Sequence, residues 1–226
     1  MRLLLVRHGQ TPSNVGRHLD TAEPGPGLTE LGREQALALP DTLGAQGIEA
    51  IYASTLVRTQ QTAAPLARSL GHEVRIRRDL REVPAGSLEM ANDEESIQTY
   101  LSIVLGWAGD APERRMPGTE RDGHSVLGAF DEVVEEVAET GVGVAALFSH
   151  GAVIRAWAAS RSENITADFA ARHPVSNTGA VVVTGEPGRW WAEQWQEQAL
   201  GGPALEDEAA DGAAAEPVDP EAVPGD

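Results

Sequence analysis

Two short apolar runs, residues 3–6 and 142–149, each deliver the chain to a histidine followed by glycine: Arg7-His8-Gly9 after the first, Ser149-His150-Gly151 after the second. Runs of this length, apolar throughout and bounded by polar residues, read as strands buried on both faces of a parallel sheet. Open sheets of that kind bind ligands beyond the carboxyl ends of their strands. The two runs therefore predict a fold that carries two imidazoles to one sheet edge, with glycines that let the backbone turn and a ligand come close.

The rest of the chain fits that frame. Residues 28–47 predict a helix, with Thr29 as its N-cap and Leu31, Ala36, Leu39 and Leu43 as its apolar stripe. Pro40 is expected to kink or interrupt it. A strand at 50–53 and a helix at 55–70 follow, the helix closed by Gly71. Residues 72–78 alternate and predict a strand with one exposed face. A loop at 79–93, a helix at 94–107 and an irregular stretch at 108–123 come next, then a strong helix at 125–140. A helix begins at Gly151, and late, paired strands are expected at 181–184 and 190–196. Alternation of strand and helix predicts one α/β domain over residues 1–200: a mostly parallel central sheet with helices on both faces.

Residues 201–226 differ from that body. They hold eight acidic residues, no basic one, and few large apolar side chains. Such a segment buries too little surface to offset its ordering entropy, so a disordered acidic C-terminal tail is expected.

Charge narrows the function. The net charge of -18 excludes a nucleic-acid surface, which needs a basic face, and disfavours anionic membranes. A small phosphorylated metabolite is the expected partner, and a homodimer is left open. The absence of cysteine excludes thiol catalysis and cysteine-based metal sites. With no secretory pattern at the N-terminus, the expected localisation is cytoplasmic.

At the predicted sheet edge, Arg7 can clamp a phosphate through parallel hydrogen bonds, and His8 can act as nucleophile or proton carrier. Gln10, Thr11 and Asn14 add short polar groups able to donate to phosphate oxygens. The stretch from Leu4 to Asn14 resembles the opening motif of the histidine phosphatase superfamily, the phosphoglycerate mutase-like branch. Three further segments support the resemblance in the expected order: Ser54 to Thr62 (STLVRTQQT), Leu80 to Glu89 (LREVPAGSLE) and Phe148 to Arg155 (FSHGAVIR).

The resemblance implies a phosphohistidine on His8, and Arg7, Arg58, Asn14 and His150 around the phosphoryl oxygens, with Thr11 and Gly151 among the substrate-binding residues. It implies Glu82 as the acid that protonates the leaving oxygen and then activates the acceptor; Glu89 competes for that role. No metal or other cofactor is expected, because arginines supply the positive charge. The expected activity is hydrolysis of a small phosphate monoester. Phosphoglycerate mutase-type transfer is the first alternative, and a catalytically weak binding member of the same fold the second. The short interval between Glu82 and His150 favours hydrolysis.

Two positions depart from the family pattern: Met90, where a second glycine is usual, and His124, where a glutamate is usual. Both fall on the leaving-group side. Arg155 is expected in a structural ion pair, Arg114 and Arg115 as a solvated pair, and His18, His72, His124 and His173 as surface or loop residues.

Overall fold

A computed structural model describes residues 1–207 and 211–218. Among the described residues the α-helices and strands are β1 Arg2–Arg7, α1 Pro12–Val15, α2 Glu30–Leu43, β2 Ala50–Ala53, α3 Val57–Leu70, β3 Val74–Ile76, α4 Glu94–Gly106, α5 Gly123–Glu139, β4 Val144–Ser149, α6 Gly151–Arg161, α7 Ala167–Arg172, β5 Ala180–Glu186 and β6 Arg189–Gln196. The strands form one sheet in the order β3-β2-β4-β1-β5-β6. Its β3, β2, β4 and β1 pair in parallel, while β5 pairs antiparallel with both β1 and β6.

The period of two along the central strands explains the layers. Leu3, Leu5, Tyr52, Ala145 and Leu147 point to one face and join a core with α4, α5 and α6. Leu4, Val6, Ile51, Ala146 and Phe148 point to the other and pack with α2 and α3. Both faces are covered, which is why these strands are apolar throughout.

The expected helix boundaries have local causes. The Thr29 hydroxyl accepts from the Gly32 N–H and opens α2. Gly71 takes φ 70° and closes α3, its N–H meeting the Ala67 and Arg68 carbonyls. The expected interruption at Pro40 does not occur: α2 runs through it to Leu43. A proline in the last turn removes few bonds, and Leu39 and Leu43 on either side are both buried. Two short helices, α1 and α7, were not anticipated.

The C-terminal segment is described over residues 201–207 and 211–218. The described part of the tail is not without contacts. Ala213 and Val218 are buried, and residues 205, 211, 214 and 216 accept hydrogen bonds from Gln35, Arg7, Arg155 and Arg17. The composition argument asked only for buried apolar area. What holds these residues is mainly donors on the body meeting backbone carbonyls of the tail, a link that acidic and alanine-rich composition does not reveal. Residues 208–210 and 219–226, to which the same expectation applied, lie outside the described residues.

Candidate active site

The carboxyl edges of β1 and β4 meet in register, Arg7 opposite Ser149. The next residue on each strand is His8 and His150, and their rings lie 5.2 Å apart, edge to face. Parallel pairing of two apolar strands thus brings together the two imidazoles that the sequence separates by more than half its length. The neighbouring strand β2 delivers Ser54 and the start of α3, whose first turn carries Arg58.

Hydrogen bonds set the His8 tautomer. Nδ1 lies 2.8 Å from the Gly9 carbonyl and donates to it. Nε2 therefore keeps its lone pair, which accepts from Arg58 Nε at 3.1 Å. Burial, with Arg58 and then Arg7 close by, holds the His8 pKa well below 6.5. The ring is neutral at pH 7 and carries a lone pair on the pocket side. Burial likewise holds His150 well below 6.5, with Arg58, His8 and Arg7 adding to the effect. The Ser54 hydroxyl lies 2.8 Å from His150 Nε2. Donation by that hydroxyl leaves the proton of His150 on Nδ1.

Three buried nitrogens, Arg7 Nε, Arg58 Nη1 and His150 Nδ1, have no hydrogen-bond partner among the described residues. An unmet buried donor is costly, and three at one site call for an explanation. They come from three different elements around His8. The remaining donors of both arginines fix the forks: Arg7 Nη1 donates to the Val175 carbonyl at 2.7 Å and Nη2 to the Asp211 carbonyl. Arg58 Nη2 donates to the Asp20 carbonyl at 2.8 Å. Such a set of oriented, desolvated donors fits an oxyanion with several oxygens, and phosphoryl foremost.

Glu82 closes the other side. Its carboxylate accepts from the Val83, Ala152 and Val153 N–H groups at 2.9–3.1 Å, the last two in the first turn of α6. Burial raises its pKa above 4.5 against those bonds. Glu89 is placed differently. It accepts from the Thr21 and Ala22 backbone and from the Thr21 hydroxyl, and so ties down the loop. One cavity is lined by Arg7, His8, Arg58 and Glu82 together, and also by Thr11 and Asn14.

Thr11 and Asn14 are engaged with each other. The Thr11 hydroxyl donates to Asn14 Oδ1 at 2.9 Å, and the two cap α1. Gly151 opens α6, and a Cβ there would stand 3.2 Å from Arg7 Nε. Arg155 corrects an expectation: it is fully buried, and its donors meet the backbone carbonyls of Ala170, Ala171, Ala214 and Glu216 rather than a carboxylate. Burial and the charge on Arg7 lower its pKa to about 9, although Glu82 opposes the shift. His18, expected as a surface or loop residue, lies in a loop and lines the cavity; Arg115 pairs with Glu120 in the open.

Three positioning groups escaped the sequence reading: Ser54 beside His150, Asp20 beneath Arg58, and Asn177, whose Nδ2 donates to the His8 carbonyl at 3.1 Å. Ser54 stands in the STLVRTQQT segment and could have been found there. Asp20 holds Arg58 through its carbonyl and, at 4.0 Å, through its carboxylate, and Asn177 acts upon a backbone carbonyl; neither leaves a pattern in the sequence.

The site joins two strand-end histidines, two buried arginines and a buried carboxyl group at one edge of an α/β sheet. The chain belongs to the histidine phosphatase superfamily (branch 1), whose family model matches residues 3–198. It is 38% identical over 206 residues to the PE-PGRS family protein PE_PGRS11 of Mycobacterium tuberculosis, covering 84% of this chain and 35% of that protein. It is 34% identical over 124 residues to the probable phosphoglycerate mutase GpmB of Cronobacter sakazakii, covering 53% of this chain and 55% of that one. The chain thus spans about a third to a half of the length of these relatives. Among solved structures, a mycobacterial glucosyl-3-phosphoglycerate phosphatase in complex with VO3 superposes with a TM-score of 0.72 at 28% identity, covering 86% of this chain and 98% of that one.

Proposed function

We propose that this protein hydrolyses a small phosphate monoester through a phosphohistidine on His8, without a metal ion. The observation that carries the reading is the neutral His8 Nε2 in one cavity with Arg7 and Arg58, at a site where Arg7 Nε, Arg58 Nη1 and His150 Nδ1 are buried without hydrogen-bond partners among the described residues. The donors would take the equatorial oxygens of the phosphoryl group. Arg58 would then exchange its bond to His8 for one to phosphate and release the lone pair for attack. The Nε2 lone pair forms a bond to phosphorus as the bond from phosphorus to the ester oxygen breaks. That oxygen takes the Glu82 proton and leaves as the alcohol.

In the second step Glu82 takes a proton from water, the hydroxide forms a bond to phosphorus, and the P–N bond breaks. Inorganic phosphate leaves and His8 is neutral again. The positive charge that a metal would supply comes from two guanidinium groups held off water. The mycobacterial neighbour's name points to a sugar-linked phosphoglycerate as that protein's substrate; for this chain the proposal is the class, a small soluble phosphate ester.

The test is hydrolysis of a panel of phosphate esters by the wild-type protein and His8→Ala, with product alcohol and inorganic phosphate both measured. Loss of all turnover in a folded His8→Ala supports the reading. Full turnover by that variant would overturn it. Phosphate appearing on an added alcohol, with none released to water, would assign transfer instead.

A further inference from the structure

The chain's own C-terminal segment forms part of the wall of this site. Ala213 and Ala214 line the cavity that contains Arg7, His8, Arg58 and Glu82. Its volume is about 30 Å³. A water molecule's share of the liquid is about 30 Å³, and pockets for small organic ligands measure about 300–1,000 Å³. With these residues in place the cavity is smaller than a phosphate ester needs.

The closure rests on four anchors. The Asp211 carbonyl accepts from Arg7 Nη2, and its carboxylate accepts from the Asn177 N–H at 2.9 Å. Arg155 Nη1 donates to the Ala214 and Glu216 carbonyls, both at 3.0 Å, from a guanidinium with no solvent exposure. Arg17 grips the Glu216 carboxylate at 2.5 Å. Val218 is buried, and its N–H donates to the Ala171 carbonyl at 2.9 Å.

The same segment reaches the cation that a phosphoryl group needs. A Cβ on Gly151 would stand 3.2 Å from both Arg7 Nε and the Ala214 carbonyl oxygen. The Asp211 carbonyl is bonded to the Arg7 fork. Arg7 Nη2 holds the Asp211 carbonyl while Nε stays free for a phosphate oxygen, so ester and segment oppose each other through the space that Ala213 and Ala214 take beside His8.

We propose that residues 211–218 are an autoinhibitory strap, and that a phosphate ester and the docked strap exclude each other from this cavity. The proposal rests on the phosphatase reading of the site. Apparent affinity is then the intrinsic affinity scaled by the fraction of molecules with the strap undocked. Loosening the strap lowers KM and the inhibition constant of inorganic phosphate by one common factor, and leaves kcat unchanged.

The experiment uses the full chain. Glu216→Gln removes one half-exposed ion pair and is expected to lower both constants by up to about fivefold. Val218→Asp places a charge in a buried slot and is expected to lower both by about tenfold or more. Neither residue belongs to the catalytic machinery. The assay is steady-state hydrolysis of 4-nitrophenyl phosphate with inorganic phosphate as inhibitor, and melting curves establish that each variant is folded. Because Val218→Asp can fail to fold, a direct measurement on the wild-type protein stands beside it: hydrogen exchange of the 211–218 amides with and without saturating inorganic phosphate. Faster exchange with phosphate is expected.

Unchanged KM and phosphate inhibition in a folded variant overturn the strap and leave the phosphatase reading standing. Slower or unchanged exchange on phosphate binding also overturns it, the former by making the segment a lid that closes over the ligand. Absence of both turnover and phosphate binding in every protein overturns strap and phosphatase reading together.

Discussion

Glu82→Gln separates proton transfer from every other contribution of this site. The substitution keeps size and shape and removes the acidic proton. Two consequences follow from the geometry. Glu82 Oε1 accepts from Val83 and Val153, and Oε2 accepts from Ala152. A glutamine can present its oxygen to only one set, so its amide nitrogen faces at least one backbone N–H. That mismatch costs about 1–3 kcal/mol, and a domain of this size should lose roughly 2–4 °C of Tm for each of them.

The kinetic effect depends on the leaving group. An alkyl alkoxide needs a proton in the transition state, and losing a positioned acid slows its departure by about 10²–10⁴-fold. A nitrophenolate is stable without the proton, so its first step should slow by less than about tenfold. The assay is single-turnover hydrolysis of an alkyl and a 4-nitrophenyl phosphate by the same preparation. An equal loss on both substrates would refute the assignment of the proton to Glu82. Glu89→Gln is the control: it loosens the loop at Thr21 and should affect the two esters alike.

Three further outcomes are expected. Burial and two arginines depress the His8 and His150 pKa values well below 6.5, so the unfolded chain binds protons near pH 6 that the folded one does not. Stability from these two groups is fully present above pH 6.5 and is lost as pH falls through the folded values, whereas Glu82, raised above 4.5, contributes in the opposite sense; Tm measured across pH 4–8 in wild type, His8→Asn and Glu82→Gln separates the two signs. Activity should survive excess EDTA, since the arginines carry the charge; loss restored by a divalent ion would contradict this. Ser54→Ala should lower kcat about tenfold or more with a smaller change in KM, because His150 Nε2 loses the hydroxyl that holds its ring; a kcat within twofold of wild type would remove Ser54 from the site.

The parts legible in the sequence are those fixed by local pattern. An apolar strand followed by His-Gly places His8 and His150 without knowledge of the rest, because parallel strands of one sheet end at one edge. Arg58 and Glu82 were legible as members of longer segments rather than from their surroundings. Interactions through the backbone were not. Asp20 holds Arg58 through its carbonyl, and Arg155 meets four carbonyls where a side-chain partner was expected. A carbonyl belongs to every residue and has no signature in composition. The same reason hides the docking of residues 211–218, whose alanines and acids read as a solvated tail. Short helices such as α1 are too brief for a 3.6-residue period to emerge, although the Thr11–Asn14 capping pair marks the start of this one.

The central claim is that the phosphoryl group passes through His8. Rapid mixing with a labelled phosphate ester, quenching in alkali within milliseconds, and mass spectrometry of the peptides tests it directly, since a phosphoramidate survives base and is lost in acid. The mechanism predicts one phosphoryl group on His8 Nε2, formed no more slowly than the steady-state rate and absent from His8→Ala. A phosphoryl group on any other residue, or turnover with none trapped at any quench time in wild type and Glu82→Gln alike, would contradict it.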